Sequence, residues 1–244
     1  METSDWDVAA EVRGLPKEMA PQASPGTWET ALALLPESGT VLVGGAGRGG
    51  LSLILGRRGY RITSVDLHPE HFQVPGMTCQ YADFEAPLAF DTGSFDAVLV
   101  IEVVEHLESP WGFLREAIRV LKPGGSLVFT SPNVVTLPAR LRFLRTGGLP
   151  YFRMESFLGC YHVTPIFPWA VERWAMTVNA SIDKLTWTRA NWPTWQDIPR
   201  HWERRWSRYL KKLLPVGKIF GEIACYRIIK TDTPASVVRG QHYA

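Results

Sequence analysis

TVLVGGAGRGGLSLILGRRGYRITSVD, residues 40–66, decides the fold class. A short apolar run, TVLVGGA, gives way at a glycine-rich turn to a helical pattern that lasts through Leu55, and RITSVD then returns to an extended pattern. That is the rhythm of a strand, a crossover helix and a second, parallel strand. The same rhythm continues outward. TCQYADF (78–84) and FDAVLVIEV (95–103) read as strands, a helix runs from about Pro110 to Leu121, Lys122-Pro123-Gly124-Gly125 is a turn, and SLVFTSPN (126–133) is a fifth strand. Strands that are nearly continuous apolar runs are covered on both faces, and such sheets bind ligands at the carboxyl ends of their strands.

The glycine-rich turn holds Gly45, Gly47, Gly49 and Gly50. Glycine suits a sharp turn with positive φ whose amide groups must be approached by a ligand. Asp66 closes the second strand, where a carboxylate can accept both hydroxyl protons of an adenosine ribose. An adenosine-containing cofactor follows, and NAD stays open at this point because Gly45, Gly47 and Gly50 also satisfy GxGxxG.

Before this core, residues 1–23 show no period and read as a mobile N-terminal arm. Ser24 reads as a helix N-cap with Pro25 at the first helical position, and Trp28, Ala31, Leu32 and Leu35 follow at helical spacing until Pro36. Beyond Asn133 the regularity weakens. A helix is expected over 168–178, with strands at DKLTWTRA (183–190) and GEIACYRIIKT (221–231). The single domain is therefore set at 24–231, with 135–220 as a substrate-side elaboration and 232–244 as a flexible tail. Seven of the ten tryptophans fall between 169 and 206, so the second half has a different task from the first.

Composition narrows the function. Among 244 residues, 45% are hydrophobic and 20% charged, which excludes disorder as the main state. A net charge of +2 offers no chain-wide field for a nucleic acid backbone. Cys79, Cys160 and Cys225 have no metal-ligand spacing, and METSDWDVAAE has neither the basic nor the apolar region of a signal peptide, so a reduced, cytoplasmic location is expected. Ile198, Trp202, Trp206, Leu210 and Leu213 make an apolar stripe among arginines and lysines. The helix near 198–214 is read as packing on the domain, covering the acceptor, or meeting an anionic membrane.

ADF (82–84), FDAVLVIEVVEHL (95–107), FLREAIRVLKPGG (113–125) and LVFTSPN (127–133) resemble, in order, successive motifs of the class I S-adenosylmethionine-dependent methyltransferases, the methyltransferase type 11 group in particular. The resemblance implies a Rossmann-like three-layer sandwich. Its sheet would be mostly parallel and seven-stranded, with 221–231 inserted antiparallel beside 183–190 and a Trp-rich C-terminal insertion. It implies that Gly45, Ala46, Gly47 and Gly49 contact the methionine part of S-adenosylmethionine, that Asp66 and Leu67 hold the ribose end, and that Asp83 bonds the adenine while Phe84 flanks its ring. Ile101 and Glu102 would lie along the cofactor near the methyl. One departure is Val43, where the family usually has an acid that orients the cofactor's ammonium group.

Glu102, Glu105 and His106 form ExxEH, which places three polar side chains on one face if the turn after the strand is helical. Two carboxylates and an imidazole converging on one point call for a cation between them. The element is similar to one in ubiquinone-biosynthesis O-methyltransferases and small-RNA 2′-O-methyltransferases. That resemblance implies a divalent ion, Mg²⁺-like or Zn²⁺-like, among Glu102, Glu105, His106 and His162. Read without a metal, the same residues make His106 a general base. The expected function is O-methylation of a small-molecule hydroxyl on a catechol-like ring, a quinone precursor or a sugar. The alternatives are an RNA 2′-O-methyltransferase and a non-catalytic cofactor-binding relative.

Overall fold

The structure is a computed structural model that describes residues 8–21, 23–188 and 221–231. Seven strands form one sheet in the order β3-β2-β1-β4-β5-β7-β6. They are β1 (Thr40–Gly44), β2 (Arg61–Asp66), β3 (Cys79–Tyr81), β4 (Phe95–Val100), β5 (Leu121–Pro132), β6 (Ala180–Trp187) and β7 (Ile223–Lys230). β1 to β5 run parallel to one another, while β7 lies between β5 and β6 and runs antiparallel to both. The antiparallel insertion expected for 221–231 is present.

Register explains why the chemistry gathers at one edge. Gly44 pairs with Val65 on one side and Val100 on the other, and Asp66 pairs with Tyr81. The Gly45 turn, Asp66, the Asp83 loop and Ile101-Glu102 therefore all leave the sheet together, at its carboxyl edge. Alternation along the strands sends side chains to two separate cores. Leu42, Val98, Val100, Leu127, Phe129 and Tyr226 pack on one face, and Val41, Val43, Ala97, Leu99, Val128 and Cys225 on the other. The central strands have no wet face, which is why their sequences are continuous apolar runs.

Helices α3 (Gly50–Arg57) and α4 (Pro110–Val120) are the crossovers. The expected KPGG turn becomes a bulge within β5: pairing passes from Phe95↔Leu121 to Ala97↔Ser126, and Gly124 takes up the turn with φ +75°. Helix α7 (Pro168–Thr177) lies where expected, and β6 starts three residues earlier than its expected bound.

Two expectations at the N-terminal side are corrected. Ser24-Pro25-Gly26 is a turn, not a cap: Thr27 donates to the Ser24 carbonyl at 3.1 Å, Gly26 is left-handed at φ +83°, and helix α2 (Thr27–Leu32) starts only after it. Proline second and a positive-φ glycine third is the type II pattern, which competes with a serine cap. Part of the expected arm is also ordered. Residues 8–13 form α1 (Val8–Arg13), Glu11 pairs with Arg58 at 2.8 Å, and Leu15 and Met19 are buried. A Cβ on Gly50 would strike the Met19 carbonyl and the Trp28 ring. Gly50→Ala is therefore expected to cost about 1–3 kcal/mol and to expose residues 8–21 to protease, as melting and limited proteolysis can show. The helix expected over 198–214 and the tail 232–244 lie outside the described residues.

Candidate functional site

The glycine turn is built for close approach. Gly45, Gly47 and Gly49 all have positive φ, at +67°, +51° and +93°. A Cβ on Gly45 would sit 2.5 Å from Val103 Cγ2, whereas one on Gly47 would meet nothing within 4 Å, so Gly47 opens on free space. Asp66 fixes this loop: its Oδ2 accepts from the Gly47 amide and its Oδ1 from the His68 amide, both at 2.8 Å. Asp83 accepts from the Glu85 amide at 2.9 Å through Oδ1. Ala46 is buried and Leu67 is exposed beside Asp66. Phe84 is a core residue, with its ring 4.5 Å from that of Phe113 and its edge over Gly44. Ile101 is buried, and so is Val43, whose side chain belongs to the apolar core and brings no carboxylate to the turn.

After Ile101 the chain turns back on itself. Glu102 is left-handed at φ +53°, and Val104–His106 form one 3-10 turn rather than an α-helix. This reorients the ExxEH side chains. Glu102 is held by Thr130, whose hydroxyl accepts from the Glu102 amide and donates to Glu102 Oε1, each at 2.9 Å. Glu105 is fully buried, with neither carboxylate oxygen hydrogen-bonded. Its backbone carbonyl accepts from the amides of Val163 and Thr164 at 2.9 and 3.0 Å, and the Thr164 hydroxyl donates to the Leu107 carbonyl at 2.7 Å. That clamp brings His162 to His106 across 55 residues of chain, with ring centroids 4.8 Å apart.

Each imidazole is oriented by a backbone carbonyl, His106 Nδ1 by Tyr161 at 3.1 Å and His162 Nδ1 by Tyr151 at 3.0 Å. A carbonyl oxygen only accepts, so each Nδ1 carries the hydrogen and each Nε2 keeps its lone pair. Among the described residues, the non-glycine residues with left-handed backbone are Glu102, Tyr151 and Tyr161, the first in the ExxEH element and the others supplying those two carbonyls. Strain of this kind persists only where the surroundings impose it. One ligand atom each from Glu105, His106 and His162 lie within 4.8 Å of one another. Glu102 stays outside this set, because Thr130 draws its carboxylate aside.

Electrostatics follow from burial. Desolvation pushes the Glu102 carboxyl up to about 7 against the opposing bond from Thr130. Glu105 is raised well above the carboxylate range, first by burial and then by the charge of Glu102. Burial and the neighbouring His106 lower His162, against a smaller upward pull from the Tyr151 carbonyl. The Tyr151 hydroxyl is pushed up to about 12 by burial and by the charges of Glu222 and Glu102. A buried carboxylate without donors beside two imidazoles that each offer a lone pair is a mixed oxygen and nitrogen donor set, suited to Mn²⁺, Fe²⁺ or Zn²⁺ as well as Mg²⁺.

Sequence reasoning missed Thr130, Thr164 and the carbonyls of Tyr151 and Tyr161. Thr130 alone left a signal, as a polar residue near the end of a buried strand.

Comparison with known proteins agrees with this layout. Residues 42–129 match the family described as a methyltransferase domain. That span runs from within β1 into β5 and holds the glycine turn, Asp66, Asp83 and ExxEH. The chain has the fold of the class I methyltransferases. A SAM-dependent methyltransferase from Archaeoglobus fulgidus superposes with a TM-score of 0.58 at 18% identity, covering 83% of this chain and 90% of the other. One from Mesorhizobium loti gives 0.53 at 15% identity, covering 84% and 98%. At that identity the likeness establishes the fold.

Curated relatives match over part of the chain. A 2-methyl-6-phytyl-1,4-hydroquinone methyltransferase of Synechocystis is 36% identical over 110 residues, 42% of this chain and 35% of that protein. A ubiquinone biosynthesis O-methyltransferase of Albidiferax ferrireducens is 32% identical over 139 residues, 52% of this chain and 53% of that protein. The match spans about half or less of the length of these relatives. No helix among the described residues is long and apolar enough to cross a membrane.

Proposed function

We propose that this protein is an S-adenosylmethionine-dependent methyltransferase acting on a hydroxyl of a small molecule, with Glu105, His106 and His162 holding a divalent cation at that hydroxyl. The observation that carries the proposal is the meeting of two oriented imidazoles with a buried, unpartnered carboxylate at the carboxyl end of β4. The O-methyltransferase among the relatives supports oxygen as the acceptor atom, and the hydroquinone methyltransferase supports a small molecule as the methyl acceptor.

The residues divide the work. Gly47 leaves backbone unshielded, and Asp66 keeps the Gly47 amide in place while its remaining lone pairs suit a pair of ribose hydroxyls. Asp83, with Oδ2 uncommitted by its turn bond, suits an exocyclic amine. Val103 packs over Gly45 and joins this cradle to the turn that carries Glu105 and His106. S-adenosylmethionine, when bound, supplies an electrophilic methyl on a sulfonium. Glu105, His106 and His162 would hold a divalent ion, whose charge would stabilise a deprotonated hydroxyl. Glu102, with its carboxyl raised to about 7, is poised to accept the hydroxyl proton near neutral pH.

Titration calorimetry tests the cofactor assignment. Wild-type protein is expected to bind S-adenosylmethionine and not NAD. Asp66→Ala is expected to lose about 1–3 kcal/mol of that binding and Asp66→Asn less, because one acceptor oxygen remains. Equal affinity in all three proteins would remove Asp66 from the site, and tight NAD binding would remove the proposal. A screen of catechol, quinol and sugar acceptors with labelled cofactor then identifies the substrate.

A further inference from the structure

Large apolar side chains left in water concentrate in α5 (Leu137–Thr146) and α6 (Met154–Cys160). Leu141, Phe143 and Leu144 are exposed on the first, and Met154, Phe157 and Leu158 on the second, with Leu144 at 82% and Leu158 at 77%. Leu141 and Leu144 are three apart, and Met154 precedes Phe157 and Leu158 by three and four, so each set shares one side of its helix. Only Ala139 of α5 is buried, and no residue of α6 is. Filling the core does not account for these side chains.

Their charged neighbours indicate what does. Residues 137–160 hold Arg140, Arg142, Arg145 and Arg153 against one acid, Glu155. Arg140 stands one helical turn from Leu144, Arg145 one turn from Leu141, and Arg153 one turn from Phe157. Exposed leucine, methionine and phenylalanine flanked by guanidinium groups on long stems is the chemistry of an anionic lipid surface. There the apolar groups enter the boundary of the acyl chains and the cations meet phosphates. A water-facing helix gains nothing from such leucines.

We propose that α5 and α6 dock this protein on the surface of an anionic bilayer. Leu144 and Leu158 enter the headgroup boundary, and Arg140 and Arg153 lie against lipid phosphates. The docked face runs directly into the candidate site: the Tyr161 ring rests 5.1 Å from that of Phe157, and the Tyr161 carbonyl orients His106. The proposal stands apart from methyl transfer and does not depend on it.

Co-sedimentation of the full chain with phosphatidylcholine vesicles, with and without phosphatidylglycerol, tests it. Binding is expected only with phosphatidylglycerol, and weaker at high salt. It is expected to fall about tenfold or more in the Leu144→Asp, Leu158→Asp double variant and in the Arg140→Glu, Arg153→Glu variant. Circular dichroism and S-adenosylmethionine calorimetry confirm that each variant is folded; if the leucine variant is not, the arginine variant decides. Absence of binding at low salt, equal binding to neutral vesicles, or undiminished binding by a folded variant would overturn the proposal. So would loss of binding on Trp202→Asp with α5 and α6 intact and their variants still bound. A dimer that the leucine variant dissociates while vesicle binding is unchanged would overturn it in favour of a second copy.

Discussion

Chelation is expected to stop methyl transfer while leaving S-adenosylmethionine binding nearly intact, and Glu105→Gln is expected to reproduce the chelator. The two sites are built from different residues. The cradle uses Gly45, Gly47, Asp66 and Asp83, whereas the cation set is Glu105, His106 and His162. Glu105→Gln preserves volume in a fully buried position but removes the negative charge, so it isolates the electrostatic role. Losing one anionic ligand of three should weaken Mn²⁺ or Zn²⁺ binding by about 10²-fold or more. Calorimetric titration of the metal into wild type and variant measures this directly, without an acceptor. If activity survives chelation, the metal assignment fails and His106 acts as a general base. His106→Ala should then lower turnover by about 10² to 10⁴. Full activity after both treatments would reject both roles and leave alignment and dehydration of an acidic acceptor as the mechanism.

Why the fold was readable and half of the site was not has a physical basis. Strands β1, β4 and β5 are buried on both faces, so burial wrote an apolar run into each of them, and parallel register then brought Gly45, Asp66 and Glu102 to one edge. Local spacing also exposed ExxEH. It did not show that Glu102 would turn left-handed, which replaces the expected helical face by a 3-10 turn and separates Glu102 from Glu105 and His106. Backbone atoms complete the rest. Carbonyls of Tyr151 and Tyr161 orient the imidazoles, and the Glu105 carbonyl holds the strand of chain after His162. Any residue has a carbonyl, so no residue type signals such a role. The ordered stretch before α2 was hidden for a related reason: Leu15 and Met19 are buried against a helix start that only a glycine at position 50 leaves open.

The metal-free protein is expected to lose stability as pH rises, on the order of 3 kcal/mol between about pH 5 and 8. Burial in the fold pushes the Glu102 carboxyl from its ordinary 4.5 up to about 7. Between these values the native state holds the extra proton, so raising pH draws the equilibrium toward the unfolded chain. The stabilisation is complete below the unfolded value and is lost as pH passes through the folded one. Glu105 acts in the same direction, since burial and the charge of Glu102 raise it against a smaller downward pull from its own amide. His162 opposes the trend only below its ordinary value of 6.5, where its lowered affinity for a proton favours the unfolded state. The slope should therefore be steepest above that point. Urea unfolding at a series of pH values, with and without chelator, measures it. Glu102→Gln should flatten the slope by removing one of the two ionisations. Added Mn²⁺ or Zn²⁺ should also flatten it, because the cation compensates the Glu105 carboxylate that is otherwise buried alone. Stability that stays level or rises over this range in the metal-free protein would show that water or a counter-ion already reaches the two carboxylates. The case for a cation among Glu105, His106 and His162 would then lose its electrostatic basis.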